Sequence, residues 1–528
     1  RLESGGVEKS GVFWGVWRKR VGMNDERIVR VEPPGVKVWE ALQGMVDRMV
    51  KSWEKEDAKV GMQKLLKNKA IVNFLAWMDE QKQKLKENQE RNREMHLARL
   101  EAARRAKMMR ESPDVSLQEE HVKVAIITTA SLPWMTGTAV NPLLRAAYLA
   151  KLQKQVTLLV PWLSPKDQKE IHPDGRVFDS PEEQEVFVRN WLKNRVGFEP
   201  DFKLTFYPGK YIHEKGSIFA VGDVTEYVPD SEAQIAVLEE PEHLNWYHVG
   251  RRWSDKFKHV VGIVHTNYLE YVKREENGAT KANVLKVVND WVVRAAGVHT
   301  VVKLSDAVQE FKKAETCFVH GVSPKFLDVG RMVSERMSQL DSVFAEAKAR
   351  PETDSSGFDG FDKGCYFLGK VLWGKGYSEL LALMQSHIEG NGMDVSVDVF
   401  GKGPDLVDVE KEAQRRNLNL QFRGARDHGD VDFRRYKVFI NPSMSDVVAT
   451  TTAEALAMGK FVICAKHPSN VFFSQFRNCM TYTTPEEFSK CLARAMSTEP
   501  APLQPEELRK LSWEAATERF LRVAEPQP

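Results

Sequence analysis

The stretch Asn441-Pro-Ser-Met-Ser-Asp-Val-Val-Ala-Thr-Thr-Thr-Ala-Glu-Ala-Leu-Ala-Met-Gly459 lies between two short apolar runs, Val438-Phe-Ile440 and Phe461-Val-Ile-Cys-Ala465. The β-branched residues of those runs suit buried strands. The residues 453–458 are good helix formers, and Gly459 fits the position just past a helix end. Thr450, Thr451 and Thr452 are expected to offer N-cap hydroxyls to the helix start. The reading is strand, loop, helix, strand, the building block of a parallel sheet. Ligands of such sheets lie at the carboxyl ends of strands, where a helix N-terminus offers unpaired N–H groups to an anion such as a diphosphate. Two acids occupy this edge, Asp446 in the loop and Glu454 near the helix start. They fit an ordinary turn residue and a first-turn acid, or a pair that accepts hydrogen bonds from sugar hydroxyls.

The same pattern repeats outward. Cys365-Tyr-Phe-Leu-Gly369 reads as a strand, 370–376 as a loop and 377–389 as a helix, so Lys370 and Lys375 flank a strand-to-helix turn. Two ammonium groups there can neutralise a diphosphate, or stand as plain surface lysines. Gly401-Lys-Gly-Pro404 lacks the third glycine of a dinucleotide fingerprint. After a strand at 420–423 comes the loop Gly424-Ala-Arg-Asp-His-Gly429. In the first half, Val122-Lys-Val-Ala-Ile-Ile-Thr128 is a strand. The loop Ser131-Leu-Pro-Trp-Met-Thr-Gly-Thr138, whose one glycine is Gly137, leads to a helix from about Asn141-Pro142 and a strand at 156–161. Polar and helical insertions follow. Strands at 234–238 and 260–264 come next, the second ending in His265-Thr-Asn-Tyr268. The segment 350–360, rich in Pro, Gly, Ser and Asp, reads as a linker, and 505–523 as a closing helix. The expected fold is α/β with two doubly wound Rossmann-like domains, 121–350 and 360–500. A helical and charged extension, 1–120, precedes them, and a crossing helix and tail, 501–528, follow.

With 528 residues, 42% hydrophobic and 28% charged, the chain has the composition of a soluble globular protein of two or three domains. A net charge of +2 gives no case for nucleic-acid binding. Five cysteines without CxxC spacing indicate neither a disulfide framework nor a zinc site. No run of eighteen apolar residues occurs, so membrane contact is expected to be peripheral. Gly11-Val-Phe-Trp-Gly-Val-Trp-Arg-Lys-Arg20 is compatible with a membrane interface or a disordered tail, and the charged run 79–111 with a solvated helix or coiled coil or with a basic arm touching anionic lipid. Eleven of the thirteen tryptophans precede residue 300, which suits either a lipid-facing first domain or core packing.

Pro442-Ser443, Asp446, Glu454-Ala455, Ala457 and Gly459 resemble the diagnostic segment of the family-4 retaining glycosyltransferases of the GT-B fold, whose two domains face a cleft. Val319-His-Gly-Val-Ser-Pro-Lys-Phe326 is similar to the signature that closes that family's first domain. The resemblance implies that Glu454 holds the ribose of a nucleotide sugar and that Asp446, where the family usually has Glu, lies beside the transferred sugar. It implies that Lys370, an Arg in the family, and Lys375 act on the diphosphate, and that His265 contacts the donor sugar. Gly137 falls where the family's glycine-rich loop faces the diphosphate, and Gly424, Arg426 and His428 fall on the loop beside the nucleobase. Asn245-Trp-Tyr-His248, Val264-His-Thr-Asn-Tyr268 and Gly369-Lys-Val-Leu-Trp-Gly-Lys-Gly376 look specifically like the digalactosyldiacylglycerol synthases of plants and algae. That likeness implies transfer of galactose from UDP-galactose to monogalactosyldiacylglycerol with retention, without a metal or a cofactor beyond the donor substrate. It also implies a peripheral place on the cytosolic face of the chloroplast outer envelope. Another UDP-sugar-dependent lipid glycosyltransferase, a glycoside hydrolase with paired acids, and a non-catalytic lipid-binding scaffold are the competing readings.

Overall fold

Apolar runs that alternate with helical segments become the centres of two sheets in the computed structural model, which describes residues 115–273, 278–346, 360–391 and 394–526. Of the helical and charged extension expected over 1–120, residues 1–114 lie outside the described residues, and Leu117 is part of the first-domain core. Strands β1 (Lys123–Ile127), β2 (Gln155–Trp162), β3 (Lys203–Ile212), β4 (Ser217–Ala220), β5 (Ile235–Glu239), β6 (His259–Val264), β7 (Thr300–Lys303) and β8 (Ala314–Thr316) form one sheet in the order β4-β3-β2-β1-β5-β6-β7-β8. Its neighbours run parallel except for the antiparallel pair β3 and β4. Strands β9 (Lys363–Leu368), β10 (Val397–Phe400), β11 (Leu420–Phe422), β12 (Tyr436–Asn441), β13 (Phe461–Ala465) and β14 (Cys479–Tyr482) form a parallel sheet in the order β11-β10-β9-β12-β13-β14.

The second sheet has the doubly wound order 3-2-1-4-5-6, and the first repeats it from β3 to β7 with one strand added at each edge. Winding reverses between β1 and β5 and again between β9 and β12, which opens a crevice at the carboxyl edge of each sheet. Helices cover both faces, so the central strands are largely apolar. Every residue of β5 and of β13 is buried.

Three expectations need correction. Strands β3 and β4 occupy part of the segment read as polar and helical insertions. Pro208 and Gly209 interrupt the apolar alternation of β3, and its half-exposed residues gave no buried run. The helix after β1 spans Gly137–Lys151, four residues earlier than expected, with Pro142 inside it. Pro142 cannot donate to the carbonyl of Thr138, and the Thr128 hydroxyl donates to that carbonyl instead. The closing segment is two helices, Pro505–Leu511 and Trp513–Val523, separated by Ser512, whose hydroxyl accepts from the Ala515 amide at 3.2 Å.

The second of these helices returns the chain to the first domain, while Leu508 and Leu511 of the other stay in the second-domain core. Trp513, Phe520 and Val523 pack in the core that also holds Val124, Ile126 and Leu149. In the opposite direction, Phe326, Leu327 and Val333 of the helix Pro324–Glu346 pack with Leu456 and Val462 of the second domain. The change of core thus falls at 319–323, ahead of the 350–360 linker. Gly330 makes the approach possible, because a Cβ there would stand 1.9 Å from the carbonyl oxygen of Ala457. Gly330→Ala is expected to lower stability by about 1–3 kcal/mol through overpacking, read as a fall in the urea midpoint. Among the described residues Trp253 and Trp513 are buried and the other six tryptophans are half-buried.

Candidate active site

The switch point of the second sheet brings together the loops after β9 and β12. Gly376, at φ +93°, packs so closely on the second loop that a Cβ would lie 2.9 Å from the Ser443 amide nitrogen. The Ser445 hydroxyl donates to the Gly374 carbonyl at 2.6 Å, and Asn441 Nδ2 donates to Thr452 Oγ1 at 3.0 Å. These bonds hold Lys375 and Asp446 face to face, with Nζ 2.7 Å from Oδ1. Burial works against the Lys375 charge, but the Asp446 carboxylate and Tyr271 outweigh it and raise its pKa. Lys375 is therefore a cation held at the carboxyl edge of β9. The Gly401-Lys-Gly403 turn is part of this frame rather than a phosphate loop. A Cβ on Gly401 would lie 2.0 Å from the Gly369 carbonyl oxygen, and one on Gly403 2.0 Å from that of Val371.

Glu454 sits in the second turn of the helix Thr450–Ala457, with its side chain 14% exposed. His428 Nδ1 donates to Glu454 Oε2 at 2.7 Å, and the buried Tyr366 hydroxyl donates to His428 Nε2 at 2.7 Å. Burial and the nearby Glu454 raise the pKa of Tyr366, so this hydroxyl keeps its proton for the bond. Oε1 of Glu454 takes no hydrogen bond from the described residues. Two expectations change here. Both ring nitrogens of His428 are already used, so it supports Glu454 from behind rather than meeting a nucleobase. The helix is capped by Ala449 without a side-chain bond, and Thr452 is fully buried against Asn441, so the threonine hydroxyls do not cap it. Thr450 and Thr451 stand half-buried at its first turn. Lys370 is exposed beyond β9, and Arg426 pairs on the surface with Asp432 at 2.7 Å. Gly424, at φ +75°, carries the turn after β11, and Gly137 is the first residue of the helix after β1.

In the first domain the carboxyl ends of β5 and β6 meet in a buried polar cluster. His265 Nε2 donates to Glu239, whose other oxygen lies 2.7 Å from Arg145 Nε. Glu239 is fully buried; desolvation disfavours its charge, yet Arg145 and His265 hold its pKa below the usual carboxylate value. Glu240 adopts the left-handed region, φ 67° and ψ 67°, and accepts from Thr129 at 2.8 Å, from Tyr268 at 3.0 Å and from Thr266. Such backbone costs about 1–3 kcal/mol in a non-glycine residue and clusters at functional sites. Burial, with Glu240 adding to it, pushes the Glu242 carboxyl up to about 8. The folded chain then keeps this proton between the ordinary carboxyl range and pH 8 while the unfolded chain releases it. Stability falls as pH rises through that window. Glu242→Gln should flatten the fall, measured as thermal midpoints at pH 5 and pH 8.

The two domains meet across these loops. Tyr271, in the helix Tyr268–Lys273 that follows β6, lies 5.5 Å from Lys375 Nζ measured to the ring centroid. Val447 is buried in the first-domain core, and its carbonyl accepts from Ser305 Oγ at 2.5 Å. Arg195 and Asp427 bridge the domains at 3.3 Å. Arg145, Glu239, Glu240 and Tyr271 were not singled out from sequence. The Glu239-Glu-Pro-Glu242 run at a strand end was the available signal, since acids inside a buried strand end need partners.

Two Rossmann-type domains, a short crossing and a C-terminal helix returning to the first domain make up the two-domain architecture of the GT-B fold, with a cation and acids at the second switch point. A family model described as glycosyl transferases group 1 matches residues 351–505. The chain is 51% identical over 409 residues to digalactosyldiacylglycerol synthase 2, chloroplastic, of Glycine max, covering 77% of this chain and 84% of that protein. It is 55% identical over 413 residues to digalactosyldiacylglycerol synthase 1, chloroplastic, of Lotus japonicus, covering 78% of this chain and 50% of that one. The chain thus spans about half the length of the synthase 1 relatives it matches. Among solved structures, sucrose-phosphate synthase from Thermosynechococcus elongatus aligns with a TM-score of 0.48 at 15% identity, over 76% of this chain and 97% of that one. The chain belongs to the digalactosyldiacylglycerol synthase family.

Proposed function

We propose that this chain transfers galactose from UDP-galactose to the galactose of monogalactosyldiacylglycerol, with retention at the anomeric carbon, and releases UDP. The observation that carries the reading is the held cation Lys375 beside Asp446, one loop away from Glu454. Cleavage of the sugar–phosphate bond builds positive character on the sugar and negative charge on the departing oxygen, and a preorganised cation lowers that barrier most. In this reading Lys375 and the N–H groups of Thr450 and Thr451 face the diphosphate, with Lys370 at the rim. Glu454 Oε1 accepts from the ribose, Arg426 and Gly424 border the base, and Gly137 and His265 face the sugar from the first domain. Asp446 already shares an oxygen with Lys375, which supports same-face attack, the leaving phosphate taking the acceptor proton, over Asp446 as a covalent nucleophile.

The acceptor is a lipid, so the chain works at a membrane surface. No described helix is long and apolar enough to cross a membrane, and contact in this reading is peripheral, on the cytosolic face of the chloroplast outer envelope, with anionic lipid met by the basic arm. Incubation of purified protein with labelled UDP-galactose and monogalactosyl lipid should give digalactosyl lipid and UDP. Free galactose would show a hydrolase, and no turnover of the sugar nucleotide would show a scaffold. Deleting residues 1–120 should weaken binding to anionic vesicles, and unchanged binding would remove the arm from the proposal.

A further inference from the structure

Arg145 is 1% exposed, and three parts of the fold share its guanidinium. Nε donates to Glu239 at 2.7 Å, Nη1 donates to the Val319 carbonyl at 3.1 Å, and the central carbon lies 4.8 Å from the Phe520 ring centroid and 5.9 Å from that of Trp513. Glu239 passes the connection on to His265 Nε2 through its second oxygen. The His265 ring is 5.0 Å from the ring of His320, which is 6.0 Å from that of Trp513. One buried cluster therefore joins the ends of β5 and β6, the crossing at 319–323 and the closing helix Trp513–Val523.

An imidazole can donate from either nitrogen and can flip, and the partner of one nitrogen decides what the other offers. An ionised carboxylate on Nε2 selects the ring that donates there, which leaves Nδ1 of a neutral ring as the acceptor for a substrate hydroxyl. A carboxylate as buried as Glu239 stays ionised only beside a cation, and Arg145 is that cation. Its second bond, to Val319, runs to the segment where the chain changes domain. Around the same place Arg145 Nη2, His320 Nε2 and Trp513 Nε1 are buried without a hydrogen-bond partner.

We propose that Arg145 is a positioning residue: through Glu239 it sets the tautomer and orientation of His265, and through Val319 and the closing helix it ties that orientation to the seating of the two domains. This rests on the reading of His265 as a substrate-facing group. The test compares the full chain, 15N-labelled at histidine, with the double variant Arg145→Met/Glu239→Gln, which leaves neither member of the ion pair charged. The Nε2-bound proton signal of His265, assigned by its loss in His265→Phe, is expected in the parent and shifted or absent in the double variant. Galactosyl transfer should fall in kcat by on the order of 10²-fold, with KM for UDP-galactose essentially unchanged. A parental signal or a parental kcat in the double variant overturns the proposal. Arg145→Lys covers the case in which the double variant does not fold. It keeps the charge but loses the fork that reaches both Glu239 and Val319, so the His265 signal must shift and kcat must fall, and an unmoved signal overturns the proposal. If the parent itself transfers no sugar while the signal responds as expected, the positioning stands and the proposed function fails.

Discussion

Lys375→Ala is expected to reduce kcat for galactosyl transfer by on the order of 10²–10³-fold, the scale seen when a single preorganised charge-stabilising donor is removed. Asp446 holds the ammonium at 2.7 Å, so the cation needs little reorganisation when charge develops on the departing phosphate. Asp446 and Tyr271 raise its pKa, which keeps it charged throughout the working range; no basic limb of the pH–rate profile should trace to it. Lys375→Arg should recover part of the rate, since charge is kept while the point-like ammonium geometry is lost. A Lys375→Ala enzyme with an unchanged thermal midpoint and parental kcat would remove Lys375 from the chemistry. Asp446→Asn separates the two partners. It frees the ammonium while keeping the shape of the side chain, so a smaller loss than in Lys375→Ala is expected.

Glu454→Gln should weaken UDP binding by roughly 10–100-fold, the worth of one or two hydrogen bonds to a charged acceptor, with a much smaller change in kcat at saturating donor. The carboxylate is held by a relay in which Tyr366 donates to His428 and His428 donates to Glu454. An amide in place of the carboxylate either sets an N–H₂ against the His428 N–H or turns its oxygen back to the histidine and offers the ribose a donor. Calorimetric titration with UDP reads the effect directly, and affinity equal to the parent's would exclude Glu454 as the ribose acceptor. Tyr366→Phe removes only the far end of the relay. Its effect should be smaller than that of Glu454→Gln and in the same direction.

The parts of this architecture that sequence made legible are those in which local pattern and burial agree. β13 is a five-residue apolar run bounded by Gly459-Lys460 and Lys466-His467, and its limits were recovered residue for residue because a strand buried on both faces admits no polar alternation. The strand β12 was read two residues short at its start, where Lys437 breaks the apolar run, but the order of strand, loop and helix was plain, and with it the placement of Asp446 and Glu454 on one sheet edge. The outer strands of the first sheet were not legible. β3 mixes buried and exposed residues with a proline and a glycine, and β8 has no buried residue. Their place is decided by pairing with β2 and β7 rather than by their own composition.

Residue types and spacing by themselves determined that this chain builds two wound α/β domains and where the carboxyl ends of their central strands fall. These follow from chain-local periodicity and from the conformations open to glycine and proline. Only the tertiary structure decided which charged groups work together. Lys375 finds Asp446 across 71 positions and Arg145 finds Glu239 across 94, while His428 turns away from the crevice to brace Glu454. Pairings of that kind depend on which loops the reversal of strand order brings side by side and on which carboxylates lose their water. No local stretch encodes either, because burial and partner are properties of the packed whole.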